Sequence, residues 1–176
     1  MELKLQNIKT NRLFNNCSSN KNTLYCYIFD AIKNSVRLIS DKNRSLLHYY
    51  GEPKFGSMLA EISLIHPSDF IILDGTKAFV TGRPFTGEVK QPNIIIIATS
   101  DPIAADVMGL AILKYLGTTK NIEEKSIWEQ QIKRAIEIGF RISNANQIII
   151  HDENINGISQ IKNSYLNRER VNNNGK

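Results

Sequence analysis

Strands alternating with helices predict an α/β domain, layered, with a mostly parallel sheet flanked by helices. Three observations carry this prediction. Two short apolar runs, Phe70 to Leu73 and Ile94 to Ala98, read as buried strands. The second holds four consecutive isoleucines, and a continuous β-branched run suits a strand covered on both faces, as in a parallel sheet. Before and after them, Gly56 to Ile65 and Pro102 to Leu116 have helical patterning with stop signals in place.

Taken in order, Leu3, Leu5 and Ile8 suit a brief strand and NNCSSNKN a loop. Residues 1–23 are therefore expected to be a weakly structured segment, residues 24–151 a single α/β domain, and residues 152–176 a polar, frayed tail. From Leu24 onward, Tyr25, Ile28, Phe29, Ile32 and Val36 fall near helical spacing, although these residue types also suit a strand. Ile39 to Asn43 supplies a polar break, Arg44 to Tyr50 one more helical turn, and Gly51-Glu52-Pro53 its end. In the next helix Met58, Leu59, Ile62 and Ile65 share a face, and Pro67 stops it.

After the strand Phe70 to Leu73 comes a connection, Gly75 to Asn93, with three glycines and two prolines. A loop of that length in a small domain is usually functional or disordered, and the strongly ordered elements on either side favour the functional reading. The helix at Pro102 has Asp101 as its N-cap, proline at the first helical position and Gly117 at its end. A further helix starts at Ser126, in capping-box register with Glu129. It buries Ile127, Trp128, Ile132, Ala135 and Ile136 and stops at Gly139; a last strand is expected at Gln147 to Ile150.

Composition narrows the functional classes. The 176 residues are 41% hydrophobic and 22% charged, as in soluble globular proteins, and suit one domain. Net charge is +5, but residues 1–55 carry nine Lys/Arg against four Asp/Glu, while residues 56–117 carry four against six. The basic residues are scattered singly without interleaved aromatics, so there is no strong nucleic-acid signal. No apolar run approaches the roughly 20 residues of a membrane span. Met1 to Thr10 lacks the apolar region of a secretory leader, so a cytoplasmic location is expected, with Cys17 and Cys26 as free thiols. Two cysteines alone hold neither an iron–sulfur cluster nor a structural zinc.

The candidate site lies beyond the carboxyl ends of the two central strands, where open α/β sheets gather ligands. Asp74-Gly75 reads either as a carboxylate facing a cleft with a glycine for close approach, or as an ordinary turn. Ser100-Asp101-Pro102 opens a helix whose first amides suit an anion, although Asp101 also serves as the cap. Asp106 sits in an otherwise apolar helix, where a buried carboxylate needs partners. Loop amides from Gly75 to Asn93, or a metal shared with Asp74, are the two candidates. Gly82, Pro84 and Gly87, in TGRPFTG, lack the GK[ST] ending of a phosphate loop and read as a lid over a ligand or as a plain flexible loop. His48, His66 and His151 show no pairing with a nucleophile. Catalytic and metal-binding residues are not legible.

Together these residues carry a resemblance to the domain-of-unknown-function family 362. The carrying motifs are Ile72-Leu73-Asp74-Gly75, then Gly82-x-Pro84-x-x-Gly87, then Ser100-Asp101-Pro102-Ile103-Ala104-Ala105-Asp106 with the helix ending at Gly117. Upstream, Lys33-Asn34 and His48 resemble the family's KN pair and following histidine, and Ala135 to Gly139 its late helix. The resemblance runs from about Lys33 to Ile150 and implies the C-terminal part of the domain, incomplete relative to the family. Residues 1–30 do not match the segment usually found upstream, and Arg37 stands where a glycine is expected. The family is typically prokaryotic and seen alone or beside ferredoxin-like iron–sulfur modules. The leading expectation, from the residues themselves, is a small anionic ligand or cofactor at the carboxyl ends of the strands, at Asp74, Gly75, Gly82, Pro84, Gly87, Ser100, Asp101 and Asp106, with Lys33, Asn34 and His48 as additional positions; what the resemblance adds is a link to an iron–sulfur redox system. An iron–sulfur partner would then sit on another chain. The other expectation is a non-catalytic remnant that completes its sheet by pairing with itself or a partner.

Overall fold

In the computed structural model, residues 8–17, 26–28, 31–51, 53–81, 88–91, 94–98, 101–118, 131–151 and 161 are described. Strand β1 (Ile8–Cys17) runs parallel to β3 (Phe70–Phe79), with Ile8 opposite Phe70 and Arg12 opposite Asp74. The short β2 (Cys26–Ile28) pairs antiparallel with the end of β1. Along the other edge of β3 lie β5 (Ile94–Ala98) and the two-residue β4 (Val89–Lys90), both antiparallel.

Mixed strand and helix content agrees with the α/β prediction, but a mostly parallel sheet does not hold for the described residues: one pairing of four is parallel. The physical reason is the connection after β3. Instead of a crossover helix, the chain turns back at Val80, whose N–H donates to the Glu88 carbonyl (2.9 Å), and returns through β4 and β5 as a hairpin arm. The stretch Gly75 to Asn93 thus begins in β3 and holds β4 near its other end. Only residues 82–87 and 92–93 of it lie outside the described residues. Asp74-Gly75 does not end its strand either. Between the Arg12–Asp74 and Phe14–Phe79 pairs the register of β3 against β1 slips, and glycine in a strand interior commonly marks such an irregularity.

Among the described residues five helices accompany the sheet: α1 (Ala31–Asn34), α2 (Asp41–Tyr50), α3 (Lys54–Ile65), α4 (Pro102–Tyr115) and α5 (Gln131–Glu137). Ala31 of α1 and Ala105 of α4 pack on Ile71 and Leu73, which alternate along β3 and so share one face. The main core lies among the helices. Ile32, Leu47, Phe55 and Leu59 meet Ile103, Val107, Leu110, Ile112 and Leu113, with Ile132 and Ala135 from α5. Helix α4 is buried along nearly its whole length, from Pro102 to Lys114, as a helix apolar on every side must be.

Several boundaries differ from expectation. The N-terminal segment holds a ten-residue strand where a brief one followed by loop is expected; its pairing with β3 supplies what local propensity does not. Helix α2 begins at Asp41, inside the expected polar break. In α3 Leu59 is buried while Ile65 is 71% exposed, because the buried face runs through Phe55, Ala60 and Ser63 instead. Gln147 to Ile150 is not a strand: a single 3-10 turn spans Ala145–Gln147, and Ile148 docks on the core without a ladder partner. Within the expected tail the one described residue, Ile161, is buried in the main core. The helix start at Ser126 lies outside the described residues.

Candidate functional site at the junction of the first and fourth helices

Asp106 is the centre of the described site. It stands one and a half turns into α4, fully buried. Its Oδ1 accepts the N–H of Ala31, and its Oδ2 accepts those of Ile32 (3.2 Å) and the Gln131 side-chain amide (3.4 Å). A helix start leaves its first amides unsatisfied, so the carboxylate caps α1 from a helix 75 residues away in sequence while also holding α5. Burial dominates its ionisation, against the three N–H donors that favour the charged form. Together with the negative charge of Asp101, it pushes the pKa up from 3.8 to about 7.

Asp101 occupies the N-cap of α4, its Oδ1 accepting from Ile103 N–H (2.8 Å) and Ala104 N–H (3.2 Å). Proline has no N–H. The first three helical positions therefore offer no free amide to an outside anion. Lys33, just after the residues capped by Asp106, is buried, with Nζ 5.2 Å from the Phe55 ring centroid, within cation–π range. Asn34 closes α1, half-buried.

Two of the predicted motifs therefore lie near each other, since Asp106 of the α4 motif holds the first amides of the helix that carries Lys33-Asn34. The others do not join them. Asp74 lies mid-strand opposite Ile95, and Gly75, buried, opposite Ile94, whereas the chain leaves β5 for Asp101 from Ala98, opposite Ile71. Antiparallel strands point their carboxyl ends in opposite directions, which separates the sites that a parallel sheet would have gathered. The hairpin neck that carries the Gly82–Gly87 segment is tied to the far end of α4: Lys90 Nζ donates to the Leu116 carbonyl, and Thr118 Oγ1 to the Val80 carbonyl (3.0 Å). A helix of fourteen residues is about 21 Å long at 1.5 Å per residue, so Asp101 and the neck stand roughly that far apart. Gly82, Pro84, Gly87 and Ser100 themselves lie outside the described residues, and His48 is placed in α2.

Among the described residues Asp106 does not reach the amides of Gly75 to Asn93, one of its two expected partner sets; it accepts from α1 and α5 instead. Gln131 and the Ala31 and Ile32 amides are the members of the site that sequence reasoning missed. The sole hint was a lone carboxylate in an apolar helix, which indicates a buried partner without saying where it is. Among the described residues no group of three His, Cys, Asp or Glu side chains is placed to hold a metal ion, and no helix is long and apolar enough to cross a membrane.

An α/β domain with a mixed sheet, in which Asp101 and Asp106 accept from backbone amides, is the class of protein that fold and site define. Residues 16–111 match the family described as domain of unknown function DUF362, over more than half of the sequence, and the chain belongs to that family. The match starts upstream of the Lys33 boundary expected from the motifs and stops short of Ile150. No curated protein and no solved structure matches the chain.

Proposed function

We propose that this chain is a non-catalytic association module that completes its sheet by pairing along the free edge of β5, with a second copy or with a partner. The observation that carries the reading is that edge. Ile94–Ala98, four of its five residues isoleucine, has β3 as its only neighbour among the described residues. A β-branched strand with an unpaired edge is a template for strand addition. The structural use of Asp101 and Asp106 supports the same reading, since one caps α4 and the other holds α1 and α5 together.

Light scattering on the full chain across a dilution series tests it. The wild type should dissociate on dilution, and Ile97→Lys, at the position paired with half-buried Ile72, should weaken association about tenfold or more by placing a charge on the edge. A wild type that stays monomeric at every concentration, alone and with a candidate iron–sulfur partner, would sink the reading.

A second reading rests on the nearness of Lys33-Asn34 to the α4 motif. A small anionic ligand or cofactor would bind there, in a cytoplasmic prokaryotic protein serving an iron–sulfur redox system on another chain. Such a ligand would have to displace Asp101 from the α4 amides, which is why it ranks second. Mass spectrometry of small molecules that co-purify separates the two.

A further inference from the structure

The chain has two cysteines, and the β1–β2 ladder sets them directly opposite each other: Asn15 pairs with Ile28, Asn16 with Tyr27 and Cys17 with Cys26. Directly opposed residues of an antiparallel pair have Cα atoms about 4.5–5.5 Å apart and share one face of the ladder. That spacing falls inside the roughly 4.4–6.8 Å that a disulfide spans. Of all register offsets available to β2, only this one aligns the pair.

We propose that Cys17 and Cys26 form a reversible intramolecular disulfide across the β1–β2 ladder, by exchange with a low-molecular-weight disulfide such as glutathione disulfide. One cysteine thiolate attacks a glutathione sulfur, forming a mixed disulfide and releasing one glutathione thiolate. The second cysteine thiolate attacks the protein sulfur of that mixed disulfide and releases the second. The two cysteines lose two electrons to glutathione disulfide, and their two protons end on the two glutathione thiols.

Two features make the bond a switch and not a permanent staple. The loop it closes, residues 18–25, is short, and a disulfide that closes a short loop gains less from restricting the unfolded chain than one that closes a long loop. β2 is also a three-residue strand with β1 as its sole neighbour among the described residues, so a covalent tie changes its anchoring substantially. The effect has a route inward. Ala31, whose N–H is held by Asp106, follows Ile28 by three residues, so fastening β2 restrains the entry to α1.

The test equilibrates the full-length wild type with graded ratios of reduced to oxidised glutathione, quenches in acid, and alkylates with N-ethylmaleimide before intact-mass measurement. The expected pattern is all-or-none, molecules with two adducts giving way to molecules with none. The equilibrium constant should be at least about tenfold larger in buffer than in a urea concentration that unfolds the chain, because the ladder raises the effective concentration of one thiol at the other. Cys17→Ser should leave Cys26 forming only the mixed disulfide with glutathione. Two persistent adducts at the most oxidising ratio, a wild type that stops at mixed disulfides, or equal constants with and without urea would each overturn the proposal.

Discussion

Helices α4 and α2 are close in length and opposite in situation. α4 is buried on every side, holds the family motif at its N-terminus, and has its polar residues satisfied within the fold. α2 is anchored by Leu47 alone among its described apolar side chains, while Leu46, Tyr49 and Tyr50 are 47%, 83% and 46% exposed. Spacing at i, i+3 and i+4 places these three on one side of the helix, and Lys54 Nζ sits 3.9 Å from the Tyr50 ring centroid. The difference shows where the motif residues do their work. Those on α4 build the domain, and the surface left for other molecules lies elsewhere.

Asp106→Ala should break the comparison most severely. It leaves two α1 amides and the Gln131 amide without an acceptor in a buried site, at a cost of about 3–5 kcal/mol; denaturant unfolding measures it. Asp106→Asn keeps the shape and removes the charge. In the wild type the folded-state pKa of about 7 lies above the unfolded value. The native state therefore binds more protons between the two, and stability falls as pH rises from about 4 to about 7, by roughly 4 kcal/mol at most. The Asn variant should flatten that slope. A wild-type stability that rises over the same window would contradict the assignment.

Leu47→Ala should cost about 2–4 kcal/mol as a cavity substitution, whereas Tyr49→Ala on the same helix should stay within about 0.5 kcal/mol. Equal losses would mean that α2 is held by more than Leu47. The helix terminators differ in the opposite sense. Gly51, after α2, has φ 61 and ψ −178, a region essentially confined to glycine, so Gly51→Ala should cost about 1–3 kcal/mol. Gly117, after α4, has φ 81, and an added Cβ would meet only Lys90 Nζ, at 3.7 Å. Gly117→Ala should therefore cost about 1 kcal/mol. Thermal melts of the two variants rank them.

The same contrast governs what could be read from the sequence. The start signals of α4 and the extent of β5 were legible because they are local: Asp101-Pro102 is a cap and a first-turn residue, and four isoleucines in a row are a strand in almost any context. Strand β1 was not legible, since Asn11, Asn15 and Asn16 have poor strand propensity and are held in place by strand pairing, Asn11 by β3 and Asn15 and Asn16 by β2. Nor was sheet direction. Alternating elements imply crossovers, but Val89-Lys90 is too short to announce itself among glycines and prolines, and it converts the connection into a hairpin. For the site, the need of Asp106 for partners was legible, but their identity was not. Ala31 and Ile32 contribute backbone amides, which any residue carries, and Gln131 lies beyond another stretch of chain.

Asp101 offers the finest test, because it affects α4 in two separable ways. Its side-chain oxygen caps the helix, so Asp101→Ala should cost about 1 kcal/mol. Its charge contributes to the raised pKa of Asp106. Asp101→Asn retains a capping oxygen and should lie within a few tenths of a kcal/mol of wild type. With the negative charge gone, ionised Asp106 is easier to form, so the stability-against-pH curve should reach its plateau at a lower pH than in the wild type. The Ala variant should show the same displacement on top of its cap loss. If Asp101→Asn leaves the curve in place while Asp101→Ala moves it, the displacement comes from the helix start shifting and not from charge, and the two aspartates act independently.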